Sequence, residues 1–154
     1  MNLSLRSFLL SLLFASTFLG AGEKPNLVVF ISDDLGRLDT SIHGSIDART
    51  PTMERLAAEG MTFDDAYVAS PSCCPSRFSL LTGLMPARHG AQPNHSKVKL
   101  GTKFLPPILK KMGYHIVSFG KIAHGNKKFE GLDFNEPKRA DMCVEVEKYF
   151  KNNK

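Results

Sequence analysis

Apolar residues along the chain fall into separate runs with different periods, and each period predicts a different element. "NLVVFIS", Asn26 to Ser32, is continuously apolar and rich in branched side chains, with Pro25 before it and acids after it. That pattern predicts a strand buried on both faces, as in a parallel sheet. "TPTMERLAAEG" predicts a helix with Thr50 as N-cap, Pro51 at the first helical position and Gly60 as the stop. Met53, Leu56 and Ala57 make its apolar face. "MTFDDAYV" reads as a short strand or extended piece. In "SPSCCPSRFSLLTG", residues 70 to 83, Pro75 suits a first helical turn, Phe78, Leu80 and Leu81 are apolar, and Gly83 is the C-terminal stop. "PARHGAQPNHSKVKLG" reads as loop, and "FLPPILKKMG" as a helix ending at Gly113. "YHIVSFG", Tyr114 to Gly120, predicts a second buried strand. "RADMCVEVEKYF" places Met142, Val146, Tyr149 and Phe150 at helical spacing, which predicts a core-facing helix with Cys143 buried.

Strands alternating with helices imply an α/β fold with a largely parallel sheet flanked by helices. Ligands of such sheets sit beyond the carboxyl ends of the strands. Asp33 and Asp34 follow the first strand; Lys121 and His124 follow the second. If the strands are parallel, all four groups converge on one edge. Adjacent acids at a strand end repel unless a cation or hydrogen bonds compensate, and hard oxygen donors suit Ca²⁺ or Mg²⁺. Standing alone, the same pair also reads as two loop acids beside the turn residue Gly36.

The N-terminus sets the expected compartment. Arg6 precedes an apolar stretch from Phe8 to Gly20, short for a membrane span, and small residues lead into the polar "EKPN". Residues 1 to 22 read as a secretory signal peptide, cleaved after Ala21 or Gly22, with an uncleaved anchor as the alternative. The protein is expected to be exported, to periplasm, lysosome or extracellular space, with no stable membrane anchor after cleavage. About 130 residues then remain, enough for one modest core.

The net charge is +5, with Lys97, Lys99, Lys103, Lys110 and Lys111 close together in sequence. They read either as a solvated face or as long-range attraction for an anionic substrate. No nucleic-acid-binding module is present. Three cysteines, Cys73, Cys74 and Cys143, are too few for a disulfide scaffold, and their odd number leaves at least one unpaired. Neighbouring cysteines rarely bridge each other. Cys73 and Cys74 therefore raise the question of a reactive residue.

Residues 73 to 83, Cys-Cys-Pro-Ser-Arg-Phe-Ser-Leu-Leu-Thr-Gly, match the sulfatase signature C-x-P-S-R-x-x-L-L-T-G without a mismatch. "GYHIVSFGKIAH", Gly113 to His124, resembles the family's second signature, departing at Ile116, where Ser or Thr is usual. "PNLVVFISDDLG" looks like its N-terminal metal strand. The resemblance covers nearly all of residues 23 to 154, as the N-terminal portion of a sulfatase catalytic domain.

The resemblance implies that Cys73 is oxidised after translation to formylglycine, by a maturation enzyme that reads Cys-x-Pro-x-Arg in the extended chain. One hydroxyl of the hydrated aldehyde would attack sulfur and release the alcohol, and loss of the other proton would expel sulfate. It further implies Ca²⁺, with Mg²⁺ less suited, held by Asp33, Asp34 and residue 73 and acting as a Lewis acid. Arg77 would hold the hydrated aldehyde, Lys121 would contact a sulfate oxygen, and His124 would bond the nucleophile or the sulfate. Position 73 at a helix N-terminus favours developing negative charge. Cys74 fills the variable position and is expected to be dispensable.

The Lys121-x-x-His124 spacing looks more like iduronate-2-sulfatase and heparan N-sulfatase-like proteins than like arylsulfatases, which implies a sulfated sugar or glycan as substrate. Family members are several times longer and draw further metal ligands from downstream; here Asp133 and Asp141 lack that context. The chain is therefore read as truncated and is expected not to turn over substrate alone. The alternatives are a phosphohydrolase or phosphotransferase of the same superfamily, or a non-catalytic secreted fragment.

Overall fold

The computed structural model describes residues 24–123, 130–136 and 141–153. The signal-peptide reading of residues 1 to 22 and the His124 assignment lie outside them. The chain divides after Leu35 into two units.

In the first unit, residues 24–35 carry neither helix nor ladder. Val28 and Phe30 are 80% and 92% exposed, and Leu27 and Val29 are exposed as well. The strand expected over Asn26 to Ser32 is therefore corrected to a run without a ladder. A strand buried on both faces exists only with neighbours on its edges and helices on its faces, and among the described residues this run has no ladder partner. Asp34, at φ +58°, turns the chain in the left-handed region.

The second unit begins with two 3₁₀ turns, Arg37–Asp39 and Ser41–His43. Thr40 is buried between them, its hydroxyl donating to the Arg37 carbonyl at 3.0 Å. Helix α1, Pro51–Glu59, forms where expected, but Thr50 does not cap it with its side chain. The Thr50 hydroxyl instead accepts the Ser41 N–H at 3.0 Å, and the Thr50 N–H donates to Ser41 Oγ at 3.2 Å. This reciprocal pair fixes the loop entering α1. The apolar face of α1 stays largely open, with Leu56 exposed, and residues 61–68, expected as a short strand or extended piece, form no strand, turn at Asp64 and Asp65 and are exposed.

Helices α2 (Cys73–Thr82), α3 (Pro86–His89) and α4 (Leu105–Lys111) follow. The stretch expected as loop from Pro86 thus opens with one helical turn, for which Pro86 supplies the first position and Gly90, at φ +88°, the left-handed stop. The core gathers on α2: Cys74, Phe78 and Leu81 bury with Ala91 and Ala123, and Val98, Phe104 and Ile122 pack against them. The spacing of 74, 78 and 81 is one helical stripe. Leu80 lies off that stripe and is exposed. Phe78 is the hub, with ring centroids 6.2 Å from His89 and 6.1 Å from Phe104.

Strand β1 (Val117–Phe119) pairs in parallel with β2 (Phe134–Glu136), in the register Val117 with Phe134 and Phe119 with Glu136. The expected strand over Tyr114 to Gly120 is thus realised only over Val117–Phe119. Helix α5, Met142–Asn152, lays Tyr149 against Phe119 and Phe134, at 5.7 and 4.7 Å between ring centroids. Cys143, expected to be buried, is exposed on α5; the face turned to the sheet carries Tyr149 instead. Gly120 follows β1 at φ +71°, a left-handed conformation that favours glycine, and a Cβ there would stand 2.9 Å from the flexible Met142 side chain at the start of α5. The expectation of a mixed α/β fold holds, and the sheet among the described residues is parallel.

Candidate active site

The N-terminus of α2 places Cys73 at the first helical position and Cys74 at the second. Ser72 sits in the N-cap with extended backbone, φ −102° and ψ 141°, but its hydroxyl makes no capping bond. Pro75 removes a donor where the helix has none to use, because the first four N–H groups have no partner within a helix. At the far end Gly83, at φ +68°, donates to the Ser79 carbonyl at 2.8 Å and closes the helix.

Cys73 is half-buried, whereas Cys74 is wholly buried in the core. The Cys74 N–H donates to Asn94 Oδ1 at 3.3 Å, and its thiol donates to the Ser96 carbonyl at 3.4 Å. Cys74, which fills the variable position of the signature, is a core residue with two hydrogen bonds. The adjacent cysteines have different work, since consecutive helical positions point in different directions. Among the described residues all three cysteines are free thiols.

Arg77 follows Cys73 by one turn, so the two share a helix face. It is 5% exposed, and its Nη1 donates to the Lys121 backbone carbonyl. Lys121, half-buried just past β1, is thereby tied to the helix that carries Cys73. The structure thus connects Cys73, Arg77 and Lys121 through one helix and one hydrogen bond. Asp33 and Asp34 belong to the first unit, where both are exposed oxygen donors.

His89 escaped the sequence reading. It is fully buried, with Nδ1 accepting the Ala91 N–H at 3.1 Å. In the neutral ring the proton then sits on Nε2, which donates to Ser79 Oγ at 3.1 Å. His89 therefore locks the loop after α3 onto α2. The signal was the single helical turn Pro86–His89 ended by a glycine.

The lysine cluster is not one free patch. Lys110 bonds Asp133 Oδ1 at 2.5 Å, and Lys99 Nζ donates to the Ala87 carbonyl at 3.4 Å. Asp133 also accepts the Ile116 N–H at 2.9 Å. The Lys110 hydrogen bond, then that of Ile116, hold its carboxyl below the usual carboxylate range. Asp133 is a structural anion between α4 and the strands.

The family model described as Sulfatase matches residues 25–147, a span that includes α2, Arg77 and Lys121. The chain belongs to the sulfatase family. It is 36% identical over 121 residues to the N-acetylgalactosamine-6-sulfatase of Rattus norvegicus, covering 70% of this chain and 23% of that protein. It is 38% identical over 118 residues to the N-acetylgalactosamine-6-O-sulfatase of Bacteroides thetaiotaomicron, covering 73% and 23%. To the ulvan-active sulfatase of Formosa agariphila it is 35% identical over 99 residues, covering 64% and 20%. The chain thus spans less than a quarter of the length of these sulfatases. No solved structure matches it.

Proposed function

We propose that this chain supplies the N-terminal part of an exported sulfatase that hydrolyses sulfate esters of sugars or glycans, with Cys73 as the precursor of its formylglycine nucleophile. The observation that carries the reading is the Cys73–Arg77–Lys121 arrangement: a half-buried cysteine at the first position of α2, a buried guanidinium one turn on, and a lysine held by that guanidinium. Sulfatases of similar sequence, named for N-acetylgalactosamine 6-sulfate and for ulvan, support a carbohydrate substrate.

The aldehyde hydrate would supply one hydroxyl to attack sulfur and a second whose deprotonation re-forms the aldehyde. Asp33 and Asp34, adjacent exposed carboxylates, are the hard-oxygen donor set that Ca²⁺ takes, and with residue 73 they would hold it. Bound there, the ion would supply Lewis acidity. Arg77 would orient residue 73 and balance developing negative charge from a fixed position, so little reorganisation is needed during reaction. The Lys121 ammonium would bind a sulfate oxygen, and His124 would hydrogen-bond the nucleophile or the sulfate. Maturation would require an enzyme that oxidises Cys73 in the unfolded chain. Residues 1 to 22 would direct export, and the 154 residues alone would not turn over.

The test offers the intact protein, made with its maturation system, a sulfated N-acetylgalactosamine, heparin disaccharides, an aryl sulfate and an aryl phosphate. Sulfated sugars are expected to give the highest kcat/KM. Preference for the aryl sulfate would remove the glycan substrate, and preference for the phosphate would remove the sulfatase assignment.

A further inference from the structure

We infer that Asn94 is a remote cap of α2 and a positioning residue for position 73; the catalytic part of this inference rests on the sulfatase reading above. Ser72 stands in the N-cap but leaves the helix uncapped by its own side chain. The acceptor comes from twenty residues downstream instead: Asn94 Oδ1 takes the Cys74 N–H at 3.3 Å and also its own neighbour's, the His95 N–H, at 3.2 Å. The next residue but one completes the clamp, because the Ser96 carbonyl accepts the Cys74 thiol at 3.4 Å. Cys74 is therefore held from the backbone side and the side-chain side by one short turn.

That turn is itself fixed. Ser96 Oγ donates to the Pro93 carbonyl at 2.6 Å, and His95 takes a left-handed φ of +61°. Upstream, Ala91 is buried and its N–H is bound to His89; downstream, the Lys99 N–H donates to the His89 carbonyl at 2.8 Å. The Asn94 amide thus reaches α2 from a loop anchored at both ends. The consequence falls on residue 73. Its side chain leaves the backbone one residue before the clamped amide, so fixing Cys74 fixes the direction in which residue 73 points. Precise placement of a nucleophile matters because a displacement of about 1 Å costs roughly a hundredfold in rate.

Asn94 is exposed, so its replacement opens no cavity in the core. In the intact protein, Asn94→Ala is expected to speed amide exchange at Cys74 roughly tenfold, the loss of one capping bond. It should lower kcat on a sulfated sugar by about tenfold or more with KM within about twofold. Asn94→Asp restores an acceptor at the same place and should recover most of both. Unchanged exchange at Cys74 in Asn94→Ala overturns the cap. Faster exchange with unchanged kcat overturns the positioning role. Faster exchange in a protein whose wild type hydrolyses no sulfate ester supports the cap and overturns the sulfatase reading instead.

Discussion

Arg77 Nη1 donates to the backbone carbonyl of Lys121, across 44 residues of sequence. The bond joins the helix that begins at Cys73 to the segment that leaves β1, and it lies beside a core made by Cys74, Phe78 and Ala123. A guanidinium suits this position because its planar fork serves a carbonyl with one arm and leaves others for a different partner.

Arg77→Lys is accordingly expected not to be conservative. The shorter point charge cannot keep the carbonyl bond and face position 73 together, and kcat should fall by on the order of a hundredfold. Arg77→Ala should in addition cost about 1–3 kcal/mol of stability, because the Lys121 carbonyl loses its donor in a partly buried place. Steady-state kinetics and denaturant unfolding of the same two variants check both effects.

Cys74→Ala is expected to destabilise by about 1–2 kcal/mol, from a small cavity and the lost thiol bond to Ser96. A denaturant midpoint equal to wild type would show that position 74 contributes no packing.

The helical stripe on α2 was legible in residues 74, 78 and 81, and the parallel character of the sheet was legible in "YHIVSFG". The role of Cys74 was not, because its partners Asn94 and Ser96 lie in a loop whose path no local periodicity encodes. The run Asn26 to Ser32 failed for a related reason. Its apolarity states what it needs on both faces, and only neighbouring strands can satisfy that need. Cys143 shows the limit of helical spacing: Tyr149 and the half-buried Val146 take the inner positions of α5, and Cys143 turns to solvent. Of the site residues, Cys73, Arg77 and Lys121 were legible because each falls inside a signature, whereas the Arg77–Lys121 bond is a tertiary fact.

Asp33→Asn and Asp34→Asn are each expected to weaken Ca²⁺ binding and remove activity. Calorimetric titration of the intact protein with Ca²⁺ alone checks the first effect without relying on turnover. Wild-type binding by Asp33→Asn would remove that residue from the site.

Asp133 gives a pH dependence with a defined sign. Its carboxyl is held below the ordinary value by Lys110, so the charged form is favoured in the fold. The stability it contributes is present above the unfolded value near pH ~4 and is lost as pH falls through the lower folded value. The advantage of wild type over Asp133→Asn should therefore be constant at neutral pH and shrink below about pH 4. Paired denaturation curves from pH 7 downward measure it, and an advantage that grew on acidification would contradict the assignment.

The most direct measurement is the mass spectrum of the proteolytic peptide spanning Cys73, taken from intact, active enzyme and repeated after treatment with a hydrazide probe. The account predicts an aldehyde at position 73 that the hydrazide captures, with Cys74 in the same peptide still a thiol. Active enzyme whose peptide carries only thiols at both positions would contradict it.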